Sequence, residues 1–149
     1  MFKYNVINKP NININLDILN LIFKIISKLI SKQQKWILNI IFVTDEEIQK
    51  LNKEYRKKDN ITDVLSFHYF EDFTWLSNED TAWEIILSIN KIISQAKEFW
   101  LWEEKEFYKL VIHSILHIIW YDHEEDNDYK IMQEFENKIW YEIFGNNQI

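Results

Sequence analysis

Apolar residues change their spacing several times along this chain, and each change marks an element. Positions 2 to 7, FKYNVI, alternate loosely and predict a first strand. Pro10 and the Asn-rich run after it predict a turn. Leu16, Leu19, Ile22, Ile26, Leu29 and Ile30 recur at helical spacing, so a helix should extend from 16 to 34. The run ILNIIFV, 37 to 43, is rich in β-branched residues and predicts a central strand. Thr44 followed by Glu47 makes a capping box, which predicts a helix ending near Arg56. ITDVLSFHY, 61 to 69, and WEIILSI, 83 to 89, predict two more strands, separated by a polar, acidic loop over 71 to 82. Ser88 or Asn90 can cap a helix through Ile92, Ile93 and Ala96 towards Phe99. A further helix should cover 103 to 119, with Phe107, Leu110, Val111, Ser114, Leu116 and Ile118 inward. The last should cover 128 to 144, with Ile131, Phe135, Ile139 and Ile143 as its apolar row. This pattern predicts an α+β fold: a small mixed sheet of four strands with interleaved helices.

A length of 149 residues fits one domain. With no cysteine, any transition metal must be held by histidines and carboxylates. MFKYNVINKPN lacks the basic start and apolar run of a signal peptide. No segment offers the roughly 18 uncharged apolar residues of a membrane span. A cytoplasmic protein is therefore expected. A net charge of −7 argues against indiscriminate nucleic-acid binding but leaves room for a local basic patch. Lys24, Lys28 and Lys32 form one such stripe, read either as a solvated face or as an RNA-backbone contact.

The histidines carry the chemistry. His113 and His117 are four apart on a predicted helix, which stacks them on one face. His123 can join them only if the helix stops in between. Three neutral nitrogen ligands with one open position is the pattern of a catalytic zinc site, here on a helix and the loop after it. In a zincin helix a Glu follows the first histidine as general base; Ser114 stands there, which argues against a peptidase. His68 has no partner at ligand spacing and reads as an edge or cleft histidine.

HSILHIIWYDHEED resembles the HGxLHLxGYDH signature of the YbeY family of bacterial metal-dependent single-strand endoribonucleases. LNKEYRKKDNITDVLSF, 51 to 67, resembles that family's LNxxYRxKDxxTDVLSF segment; WEIILS and QAKEFW resemble its GDIVIS and QAxxxG. The resemblance runs from 37 to 143 and implies one YbeY-like domain over 1 to 149. It implies one zinc ion on His113, His117 and His123, and Arg56 as the functional arginine near the metal. A guanidinium suits that role, because it is permanently charged and grips two phosphate oxygens at once. The implied substrate is single-stranded RNA, the 16S rRNA precursor, in 3′-end maturation and ribosome quality control. Implied partners are small-subunit ribosomal proteins, with neither DNA nor a membrane involved. Two other readings stand beside it: a metallohydrolase of another substrate, and a non-catalytic assembly factor whose zinc site is closed by Asp122 or Glu124.

Composition adds one anomaly. Gly occurs once and Trp seven times. Trp83, Trp100 and Trp120 all stand where the family has glycine. Abundant Ile, Asn and Lys suggest AT-rich coding, in which the single TGG codon should be rare. The pattern fits a gene that reads UGA as glycine, as some bacteria do, with these three tryptophans standing for glycines; the other reading is that they are genuine core or surface aromatics.

Overall fold

The computed structural model describes residues 3–29, 37–68, 81–119 and 126–145. Within them lie β1 (Lys3–Ile7), α1 (Leu16–Leu29), β2 (Ile37–Val43), α2 (Asp45–Arg56), β3 (Val64–His68), β4 (Thr81–Ser88), α3 (Ile89–Glu98), α4 (Glu103–Ile119) and α5 (Asp126–Phe144). The four strands form one mixed sheet in the order β1-β2-β4-β3. β1, β2 and β4 run parallel, and β3 pairs antiparallel with β4 at one edge. The expected α+β fold is therefore present. Among the described residues no helix is long and apolar enough to cross a membrane.

Alternation along the strands divides the apolar residues between two faces. The register pairs Leu38 with Trp83, Ile40 with Ile85 and Phe42 with Leu87. All six belong to the larger core, which also takes Leu19, Ile22, Phe23 and Ile26 of α1 and Phe107, Val111 and Ile115 of α4. On the opposite face Val43, Leu65 and Ile86 meet Ile48 of α2 in a smaller cluster.

Caps set the helix starts. Thr44 Oγ1 accepts from the Glu47 amide at 3.3 Å, as the capping box predicts. Of the two candidates for α3, Ser88 is the cap: its Oγ accepts from the Lys91 amide at 3.2 Å. The same hydroxyl donates to Asp45 Oδ1 at 2.7 Å, which ties the start of α3 to that of α2.

Several expectations shift: β4 starts at Thr81, inside the expected loop, and ends at Ser88, and α5 starts at Asp126. β3 begins at Val64, not at Ile61, because Asp63 Oδ1 accepts the Val64 amide at 2.8 Å and turns the chain there. In α5 Ile131 is 47% exposed, while Met132 and Ile139 are buried. Steps of four advance about 40° beyond a full turn each time, so the row 131, 135, 139, 143 winds around the helix. Lys24 and Lys28 are exposed as a stripe requires; Lys32 lies outside the described residues.

Candidate active site

α4 carries two functions on two faces. Phe107, Val111, Ile115 and Ile118 are buried against the molecule. His113 and His117, one turn apart, face a cleft whose rim is the edge strand β3. The cleft encloses about 450 Å³ and is lined by both histidines, Arg56, Asp63 and Ser66. Thus three of the four expected site residues meet at one place. The fourth, His123, lies outside the described residues, as do Trp120, Asp122 and Glu124. Among the described residues no three His, Cys, Asp or Glu side chains cluster as a metal site. His68 ends β3.

The two imidazoles lie with ring centroids 4.6 Å apart and planes at 76°. The His113 Nδ1 is hydrogen-bonded to Glu136 Oε1 of α5. Ser114 is buried beside them, and its Oγ finds no partner among the described residues. Buried to that degree, position 114 favours a small side chain such as serine.

Arg56 ends α2 and is exposed. The next residue, Lys57, adopts a left-handed conformation with φ 60°, and its amide returns to the Asn52 carbonyl. Asn52 is a buried amide inside the LNKEYR motif; its Nδ2 donates to the Asn60 carbonyl at 2.9 Å and to Asn60 Oδ1 at 2.8 Å. This one side chain therefore pins the loop that turns the chain after Arg56. Sequence reasoning missed it, although an asparagine at a helical core position was the available signal. Lys53, Lys57 and Lys58 are exposed around the arginine. Lys53 reaches Asp59 at 3.8 Å, a solvated pair of little energetic weight.

Asp63 ties the cleft floor together. Its Oδ2 accepts from Gln95 Nε2 at 3.3 Å, while its carbonyl accepts the Ser88 amide at 2.9 Å. With Oδ1 accepting the Val64 amide, both carboxylate oxygens help to hold the loop. Near it Glu106 of α4 is only 1% exposed, and its Oε2 finds no hydrogen-bond partner among the described residues. Burial pushes this carboxyl above its ordinary range, Lys109 opposes the shift, and Asp63 adds to it.

The chain is similar to known proteins over most of its length. The family model "Endoribonuclease YbeY" matches residues 5–143. A protein of that name from Fusobacterium nucleatum is 44% identical over 68% of this chain and 64% of its own length. One from Malacoplasma penetrans is 43% identical over 74% and 75%. Another, from Carboxydothermus hydrogenoformans, is 33% identical over 88% and 90%. A solution structure of a Thermotoga maritima protein superposes with TM-score 0.57 at 27% identity, covering 99% of this chain and 95% of that one. The chain belongs to the YbeY endoribonuclease family.

Proposed function

We propose that this protein is a zinc-dependent endoribonuclease that cleaves single-stranded RNA during 16S rRNA 3′-end maturation and ribosome quality control. The observation that carries the reading is the meeting of Arg56 with His113 and His117 in one cleft. Family membership supplies RNA as the substrate class. The cleft volume of about 450 Å³ falls in the range of about 300–1,000 Å³ that encloses a small ligand. It suits a nucleotide of one strand better than a duplex.

Two non-parallel imidazoles on one helix face, with a carboxylate behind one of them, suit a borderline-soft divalent ion. His113 and His117 would hold it, with His123 as the third ligand expected from the sequence. When bound, zinc supplies Lewis acidity to the phosphodiester and to water. Arg56 does the electrostatic work on the other side. Its fork of N–H donors matches two phosphate oxygens and stabilises the charge that builds as the P–O bond breaks. Lys53, Lys57 and Lys58 attract the strand to that wall despite the net charge of −7. The acidic remainder of the surface suits docking on basic proteins of the small ribosomal subunit, in a cytoplasmic setting.

The test is cleavage of a single-stranded RNA by wild type, Arg56→Ala and His117→Ala, with zinc content measured for each. Wild type should cleave, His117→Ala should lose zinc and cleavage together, and Arg56→Ala should keep zinc and lose cleavage. Equal cleavage by all three refutes the assignment. Zinc retained by a wild type that cleaves no RNA would favour a structural site in an assembly factor.

A further inference from the structure

We propose that Glu136 is a positioning residue, which fixes His113 as the Nδ1–H tautomer and presents its Nε2 to the cleft. The inference rests on reading that cleft as a zinc-dependent nuclease site. Three observations carry it. First, Glu136 lies on the inward face of α5: Met132 and Ile139, four residues before it and three after, are buried in the larger core. A carboxylate in that stripe costs desolvation unless something pairs it. Second, its Oε1 meets His113 Nδ1, with both side chains only partly exposed, 25% and 35%. Third, the same His113 lines the cleft with His117 and Arg56.

A neutral imidazole has one protonated and one free nitrogen. A carboxylate acceptor at Nδ1 holds the proton there, so the lone pair sits on Nε2. The contact also fixes the ring's rotation about its own axis. Histidine ligands generally need both forms of control, and the carboxylate raises the basicity of the donor nitrogen. The arrangement gives α5 a further purpose beyond packing. It follows the segment that bears His123 and then returns to α4, so it braces a first ligand after the chain has passed the third.

The test uses Glu136→Ala and Glu136→Gln, with Glu134→Ala on the exposed face of α5 as control. The imidazole ¹⁵N spectrum of metal-free protein at about pH 8.5, where an ordinary imidazole is neutral, reports the His113 tautomer. Zinc affinity follows from competition with a chelator. Wild type should show Nδ1–H at His113, and Glu136→Ala should shift towards a tautomer mixture and bind zinc about 10–100-fold more weakly. Glu136→Gln keeps an acceptor and should recover much of the tautomer with part of the affinity, while Glu134→Ala changes neither. An unchanged His113 spectrum in Glu136→Ala overturns the proposal, and so does an unchanged zinc affinity. A wild type that holds no zinc but shows the Glu136-dependent tautomer defeats the zinc reading and leaves the tautomer control by Glu136 standing.

Discussion

The cleft wall that carries His113 and His117 is rooted in the larger core, whereas the wall that ends in Arg56 rests, among the described residues, on a cluster of four buried apolar residues. α4 presents its histidines from a helix buried along Phe107, Val111, Ile115 and Ile118, and α5 braces one of them from behind. α2 is held from below by Ile48, and its end is fixed by backbone and amide hydrogen bonds through Asn52. On the proposed reading the two histidines hold a metal, and a ligand that must keep its place to within a fraction of an ångström suits the rigid wall. On the same reading Arg56 closes on a mobile RNA strand, a role that tolerates a lighter support. Its long side chain absorbs small shifts of the helix beneath it.

The sharpest break of this contrast is by cavity. Ile115 and Ile48 are both fully buried, one in each cluster. An Ile→Ala change in a core costs about 2–5 kcal/mol, more where the site cannot collapse. Ile115→Ala should fall near the upper end and Ile48→Ala near the lower, since the small cluster borders partly exposed Leu51 and Phe67. Denaturant midpoints at constant m-value measure both. Equal losses would show that the two walls are supported alike.

Next in size is the loss of the charge on the lighter wall. Arg56→Ala should reduce kcat by about 10²–10³, as removal of one transition-state donor does. Zinc content and melting temperature should stay at wild-type values, because Arg56 is an exposed helix end. A fall in zinc content would place Arg56 in the support of the metal wall and erase the distinction.

Glu106 tests the place where the two walls meet, near Asp63. Its carboxyl is raised by burial, so the folded state holds the proton more tightly than the unfolded chain. Below the unfolded value of 4.5 both states are protonated and nothing is lost. As pH rises through and above that value, the unfolded chain ionises first, and stability falls until the folded carboxyl has ionised too. Glu106→Gln removes this loss. The variant should be more stable than wild type at neutral pH, because an amide has no proton to lose there. The gain should vanish near pH 4. A gain that is the same at both pH values would assign it to packing instead.

The rigid wall was far more legible than the light one. The bounds of α4 and the stacking of His113 on His117 follow from one helical period read over 17 residues. Arg56 carries no such signal, since a basic residue at a helix C-terminus is what the helix dipole favours anyway. Only its resemblance to a family motif singled it out. Glu136 was invisible for another reason: it lies 23 residues from His113, in a stretch of alternating charge that reads as solvated surface. Pairing between distant helices is a tertiary fact that periodicity cannot supply. The start of β3 was misplaced because a side-chain cap at Asp63 overrode the strand preference of Ile61 and Thr62.

The smallest effect concerns how the chain enters the rigid wall. Trp100 lies between α3 and α4 with φ 57° and is 87% exposed. The Leu101 amide returns to the Ala96 carbonyl at 2.8 Å, closing α3 around a left-handed residue. That is the helix-terminating conformation that glycine adopts without a Cβ penalty. Trp83 contrasts with it: it sits on β4 opposite Leu38, 2% exposed, where its ring fills the larger core. Trp100→Gly should therefore stabilise the protein by about 1 kcal/mol, the cost of holding a non-glycine residue in that region. Trp83→Gly should destabilise it, as emptying a core position does. Thermal melts of both variants check the pair. The codon adds an independent arm: UGA read as glycine at position 100 accounts for the conformation at once, and TGG there would leave the strain as a genuine property of the chain. A Trp100→Gly protein that melts at or below the wild-type temperature would mean that the exposed indole, not the backbone, governs this turn.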